Sequence, residues 1–279
     1  MNAPPETLKA RYQRFNERVE HAAHAAGRKP AEILTVAVTK YAPVEAVRRL
    51  IDMGHKDLGE NQVQQLTQRA DLIAEMERRH HEHRVVAARD HALFSHAEQP
   101  EQPEPTRWHM IGSLQRNKVK KVLPVARLIH AVDSLRLVDE INAVAVRKDI
   151  DPEVLVQVNV TGESQKSGCP VGAAQHLCEQ IDALVHVHIR GLMVIGPTSQ
   201  DENETNRVFE RTRELFDDIK DAGVNPGKFN ILSMGMSGDF ELAIKHGANM
   251  LRIGSAIFGP RPPMPPGENG DHESDQPDE

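Results

Sequence analysis

Lys40 closes the apolar run ILTVAVT (33–39) and brings an amine to the end of a stretch otherwise built for burial. Such an environment favours the free amine over the ammonium ion, and the free amine is the form that condenses with an aldehyde. The competing reading is a lysine that snorkels out of a strand end with no chemistry attached. Far along the chain, SMGMSGD (233–239) and RIGSAIFG (252–259) each lead into a helical pattern, with hydroxyls from Ser233, Ser237 and Ser255 and glycines that let a ligand approach the backbone. Together they compose an anion cradle, although Gly and Ser also serve ordinary strand-to-helix turns. Arg252 stands beside that cradle in an apolar run. Its fixed fork of donors could meet a phosphate, a carboxylate or a ring nitrogen, or form a salt bridge with a strand-end carboxylate such as Glu60 or Asp239.

Other reactive side chains read as structural. The segment WHMIGSLQRNKVKK (108–121) holds the sole Trp, His109, Gly112 and then a basic stretch, and charge runs of this kind are usually solvated helix faces. His109 is as easily a core histidine as a ligand contact. His80, His81 and His83, with His91 and His96 beyond, have only scattered carboxylate partners, so no metal site is expected. His186 and His188 alternate with Val185, Val187 and Ile189, as on one face of a strand. Cys169 and Cys178 are too few for a disulfide framework and are expected to be reduced, incidental thiols.

The elements that must position these groups follow from hydrophobic spacing. Candidate strands cover 33–39, 57–60, 108–112, 127–132, 154–160, 187–195, 229–234 and 249–254, and the runs between them have helical period. After the first strand, Pro43 suits a helix start, Val44, Val47 and Leu50 mark an apolar face, and Gly54 fits the left-handed residue that ends it. Val63, Leu66, Ala70 and Ile73 mark another such face, as do Ile141 with Ala145 and Val208 with Leu215 and Ile219. Eight alternating units predict an α/β fold, a single (β/α)8 TIM barrel. A doubly wound open sheet is the rival, but no glycine-rich dinucleotide fingerprint follows the first strand. In a barrel the reactive groups gather at the carboxyl ends of the strands, where Lys40, Glu60 and Asn61, His109, Asn159, Ser233 to Ser237, and Arg252 to Ser255 stand.

Composition narrows the classes of function. The chain has 279 residues, 39% of them hydrophobic, and a net charge of −7, which argues against a strongly basic nucleic-acid binder. No apolar run is long enough to span a bilayer, and the polar amino terminus does not read as a secretory signal, so a cytoplasmic protein is expected. Residues 260–279 hold six carboxylates and one Arg, −5 of the −7, in a Pro-rich context that cannot bury a core. The expected organisation is therefore a barrel domain over 1–259 and a disordered acidic tail over 260–279. The stretch 82–106, His-rich and then Pro/Glu-rich, reads as a surface insertion.

The segments VAVTKYAP (36–43), GENQVQQL (59–66), WHMIGSLQRNK (108–118), LVQVNVTGESQKSG (155–168), RGLMVIGP (190–197), LSMGMSGDFELAI (232–244) and LRIGSAIFGPR (251–261) closely resemble, in order, the pyridoxal phosphate homeostasis protein family. That family is similar in fold to the N-terminal barrel domain of alanine racemase and lacks the further β domain of that enzyme. The resemblance implies that Lys40 holds pyridoxal 5'-phosphate as an internal aldimine. It also implies that Arg252 faces the pyridine nitrogen and, being a cation, opposes its protonation. It further implies that Ser233, Gly254 and Ser255 hold the phosphate and that Asn61 and His109 line the ring. The 82–106 stretch is longer than the family pattern, and the acidic tail is extra.

A racemase with this cofactor needs an acid/base on each face of the α-carbon. Lys40 can serve one, whereas the tyrosines are Tyr12 and Tyr41, and Tyr41 adjoins Lys40 itself. The expectation is a non-catalytic binder that buffers or delivers the cofactor, acts as a monomer and has PLP-dependent apoenzymes as possible partners. An amino-acid racemase is the alternative, with a Schiff-base aldolase more remote. A further reading has the basic stretch with Lys118, Lys120 and Lys121 docking client apoenzymes.

Overall fold

In the computed structural model, which describes residues 6–92, 104–199 and 201–260, the chain opens with helix α1 (Leu8–Ala25). There follow β1 (Leu34–Val38), α2 (Val44–Asp52), β2 (Asp57–Glu60), α3 (Val63–Ala92), β3 (Arg107–Met110), α4 (Val119–Val122), β4 (Ala126–Val132) and α5 (Leu135–Lys148). The second half supplies β5 (Glu153–Asn159), β6 (Cys169–Pro170), α6 (Val171–Asp182), β7 (His188–Met193), α7 (Glu202–Asp221), β8 (Ile231–Ser233), α8 (Phe240–Lys245), β9 (Met250–Ile253) and α9 (Ser255–Phe258). All eight strands foreseen from the hydrophobic runs are present.

The strands pair in parallel in the order β1-β2-β3-β4-β5-β7-β8-β9, and β9 returns to β1 in the register Leu34↔Met250 and Val36↔Arg252. The sheet is thus a closed eight-stranded barrel, the (β/α)8 fold expected from the alternation. The two-residue β6 is an addition the pattern did not signal, and it pairs only with the end of β5.

Two apolar layers hold the fold. The larger lies between sheet and helices, where α5 buries Leu137, Val138, Ile141, Val144 and Ala145 at helical spacing. The smaller fills the barrel itself with Val36, Leu128, Leu155, Met193 and Met250. Helix α1, capped by the Thr7 hydroxyl at the Ala10 amide, fastens the chain ends together. Phe15 meets the Phe240 ring edge-on at 5.2 Å, and Arg11 donates to the carbonyls of Ile257 and Phe258 at 3.0 and 3.1 Å. The short helices α8 and α9, which follow the candidate anion loops, are therefore clamped from outside.

The stretch 82–106 differs in part from the surface insertion read from its sequence, because α3 runs on to Ala92. Ion pairs of Arg78 with Glu75 and Glu82, and of Arg79 with Glu75, sit at helical spacing and support a helix whose apolar period is weak. Thr106 then ties the returning chain to α3 by donating to Glu77 at 2.6 Å. Residues 93–103 of that stretch and 261–279 of the acidic tail lie outside the described residues.

Candidate functional site

Alternation along the strands decides which side chains enter the barrel. Leu34 and Val36 pack inside, and Lys40, in the turn two residues past the end of β1, is half-buried at the mouth. Gly59, whose absent Cβ would fall 2.8 Å from Val36, faces inward, and Asn61 directly follows the end of β2. Alternation also turns His109 inward with Ile111, Ser233 with Ile231 and Arg252 with Met250, while Gly254 directly follows β9. Three of the seven residues singled out from the sequence, His109, Ser233 and Arg252, thus turn into the barrel, and Lys40, Asn61 and Gly254 follow strand ends. The seventh, Ser255, is the exposed first residue of α9.

Arg252 is buried, with Nη1 donating to the Ser233 hydroxyl at 2.7 Å and Nη2 to the Val194 carbonyl at 2.7 Å. Neither carboxylate weighed as its salt-bridge partner takes those bonds. Glu60 pairs instead with Arg69 at 3.1 Å, and Asp239 accepts from the Met236 amide, acting on Arg252 only through its field. Burial lowers the guanidinium to about 10, which leaves it a cation at neutral pH. Asp239 is pushed up by burial, with the Met236 amide and Arg252 opposing.

The anion loops are already partly knit together. Ser237 accepts from the Ala256 amide at 3.1 Å, so its hydroxyl braces the start of α9. Gly254 leaves the backbone approachable, since a Cβ there would come no closer than 3.7 Å to Val38. Asn61 is fixed from the neighbouring strand end, because Gly112 lies so near that a Cβ on it would sit 2.2 Å from the Asn61 carbonyl oxygen. Lys40 Nζ lies 4.9 Å from the centre of the Tyr41 ring and within the field of Glu60.

His109 is one strand step below the mouth, and both its nitrogens are engaged there. Nδ1 faces His130 Nε2 at 3.0 Å and Nε2 faces Asp57 Oδ1 at 3.1 Å. Lys40, Asn61, Gly254 and Ser255 therefore follow the ends of β1, β2 and β9 at the mouth, while Arg252, Ser233 and His109 are buried within the barrel.

The chain matches the alanine racemase N-terminal domain family over residues 8–262. It is 32% identical over 255 residues to the pyridoxal phosphate homeostasis protein of Aquifex aeolicus, covering 90% of this chain and 97% of that protein. The chain belongs to the pyridoxal phosphate homeostasis protein family. Among solved structures similar to it is PipY of Synechococcus elongatus with PLP bound, 26% identical, at a TM-score of 0.68 over 87% of this chain and all (100%) of that one. An alanine racemase of Clostridium difficile, 14% identical, superposes at a TM-score of 0.64 over 90% of this chain and 57% of that chain, a likeness of fold alone.

This member of the homeostasis family also carries buried polar residues around its site; sequence reasoning named Glu60 as a strand-end carboxylate and passed over His130 and Asp57. Glu60 is wholly buried, with Oε1 accepting from Thr39 at 2.5 Å and ion-paired with Arg69 at 3.1 Å, while Oε2 has no hydrogen-bond partner among the described residues. Burial raises its carboxyl, against the pull of Thr39, Arg69 and Lys40. His130 and Asp57 are buried beside His109. A signal for His130 was present: it interrupts the apolar stretch Leu128–Val132 of β4. Asn159 folds the loop after β5, donating to the Glu163 and Lys166 carbonyls at 2.9 and 3.2 Å, and so works as scaffold. Among the described residues, no helix is long and apolar enough to cross a membrane.

Proposed function

We propose that the chain binds pyridoxal 5'-phosphate at the mouth of the barrel, with Lys40 as the point of covalent attachment, and that it holds and hands on the cofactor in the cytoplasm. The observation that carries this reading is the placement of Lys40, a half-buried amine just past the end of β1 on the rim of a barrel whose interior holds the buried cation Arg252. When bound, the cofactor supplies an aldehyde that condenses with an amine and a phosphate dianion that seeks amides and hydroxyls.

The residues present fit that group. Lys40 offers the amine. Gly254 keeps the backbone open, and Ser255 adds a hydroxyl and an amide at the head of α9 for an anion. Arg252 holds its positive charge below them and disfavours a second cation on a ring brought close to it. Asn61, locked by Gly112, presents a polar side chain beside Lys40. Ser233 takes the role of bracing Arg252, since its oxygen already accepts from the guanidinium. The names of relatives of matching length, and the PLP-bound neighbour, favour holding over turnover. PLP-dependent apoenzymes are the fitting recipients, met by a monomer.

The test is spectroscopic. Protein loaded with the cofactor should absorb visible light, and borohydride should fix the cofactor's mass on Lys40 alone. Retention of that reducible label by Lys40→Ala sinks the assignment of the site. Exchange of amino-acid α-protons with deuterium at ordinary enzymatic rates would replace the carrier by a racemase.

A further inference from the structure

A line of buried polar side chains crosses the barrel from its foot to Arg252. Asp57 opens β2 and Arg107 opens β3, at the amino ends of the strands, and Arg107 grips Asp57 with two bonds of 2.9 and 2.7 Å. From Asp57 the line passes to His109 at 3.1 Å, to His130 at 3.0 Å, to the Ser233 hydroxyl at 3.4 Å, and to Arg252 at 2.7 Å. His109, His130, Ser233 and Arg252 are at most 5% exposed, so water does not complete these bonds in their place.

Donor and acceptor chemistry gives the line a direction. Asp57, doubly bound by Arg107, is an acceptor only, so His109 must carry its proton on Nε2. In a neutral His109, Nδ1 then has only a lone pair to offer, and His130 must donate from Nε2. His130 Nδ1 is left as an acceptor, and its neighbour is the Ser233 hydroxyl. At the other end Arg252 can only donate, so the Ser233 oxygen accepts from it and turns its own hydrogen to His130. An imidazolium at His109 would break this order. It would add a second cation to a line that already ends on the buried Arg252, and the carboxylate of that line, Asp57, is already engaged by Arg107.

We propose that Asp57, His109 and His130 are positioning residues for the cofactor site: a one-way relay that sets the Ser233 hydroxyl and through it the orientation of Arg252. The consequence for the cofactor rests on the function proposed above; the relay itself does not. In this arrangement the Ser233 hydrogen is committed downward to His130, away from an anion at the rim.

The full-length protein without cofactor gives a direct test. Nitrogen-15 NMR of the histidine rings should show His109 and His130 neutral and both protonated on Nε2, with the His130→Gln spectrum making the assignment. A doubly protonated His109, or His130 protonated on Nδ1, overturns the relay. Asp57→Asn supplies the second arm. Its amide oxygen can keep Arg107 while its NH2 faces His109, which reverses the tautomer of His109 and then of His130. After loading, this variant should still be labelled on Lys40, but with a shifted visible band and about tenfold weaker retention, the equivalent of one hydrogen bond lost at Arg252. Unchanged tautomers, band and retention in Asp57→Asn refute the relay. Wild-type protein that takes up no cofactor on Lys40 refutes the proposed function instead, while the NMR result still judges the relay. If Asp57→Asn does not fold, the wild-type tautomers decide alone.

Discussion

Arg252 Nη1 and the Ser233 hydroxyl lie 2.7 Å apart, both buried within the barrel. The guanidinium is held there by a hydroxyl and a carbonyl, with Asp239 contributing only its field. A buried cation solvated by neutral dipoles keeps its charge available to whatever enters from the mouth, because no carboxylate has already neutralised it.

This arrangement makes Arg252 hard to replace even by a residue of the same charge. Arg252→Lys retains the cation but cannot reach Ser233 and the Val194 carbonyl together with the same fork. One buried acceptor is then left without a donor, at about 1–3 kcal/mol. The urea midpoint should fall accordingly, and the loaded variant should show a displaced visible band. An unchanged midpoint would mean that the fork contributes no stability.

The glycine that backs Asn61 offers a sharper contrast. Gly112→Ala places a methyl 2.2 Å from the Asn61 carbonyl oxygen, a backbone atom that cannot step aside. The ends of β2 and β3 must separate, at a cost of about 3 kcal/mol. Gly172, in α6 with nothing within 4 Å of its missing Cβ, is the control: Gly172→Ala should stabilise by about 0.5–1 kcal/mol. Thermal unfolding of the two variants reads both signs, and cofactor uptake should suffer only in the first.

The reach of the sequence is visible in these residues. Apolar runs found each barrel strand, and positions at or just past strand ends pointed to Lys40, Asn61 and Arg252, because in a barrel position along the strand is nearly position in space. Depth within the barrel was not legible. His109 looked like a residue of the rim, yet strand stagger sets it below, where His130 and Asp57 take both nitrogens. The partner of Arg252 was sought among carboxylates, since charge is what a sequence displays. The Ser233 hydroxyl and Val194 carbonyl that hold it became adjacent only when β7, β8 and β9 were laid side by side. Helix α3 ran past its apolar stripe because exposed ion pairs, not burial, carry its later turns.

Both cysteines should be inert in the folded protein. Cys169 and Cys178 are free and buried; burial pushes the Cys169 thiol up to about 11 and raises Cys178 as well. Thiolate is the reactive form, so at pH 8 a thiol reagent should label neither residue until the chain opens. Labelling in urea should recover both. Rapid modification of either under native conditions would contradict this burial.

The buried histidine of the relay should also leave a mark on the pH dependence of stability. Burial, with the field of Arg252 acting in the same sense, holds His130 well below its ordinary value. The unfolded chain takes up a proton there below about pH 6.5 while the folded chain does not, so stability present above that pH is lost as pH falls through it. His55, also lowered by burial, acts in the same sense. Glu60, Asp133 and Asp239, raised by burial, oppose it at lower pH, because their folded forms keep protons that the unfolded chain releases. Asp57, held below the usual carboxylate range by Arg107 and His109 against the opposing effect of burial, loses its contribution only at about pH 4 and below. The informative quantity is therefore the gap between wild type and His130→Gln, in which these other groups largely cancel. At pH 7.5 the variant should be the less stable of the two. At pH 5.5 the gap should narrow by about 1 kcal/mol, the scale of one proton uptake over one pH unit. Urea unfolding at the two pH values measures it, and a constant gap would show that His130 is protonated as easily inside the barrel as in the open chain.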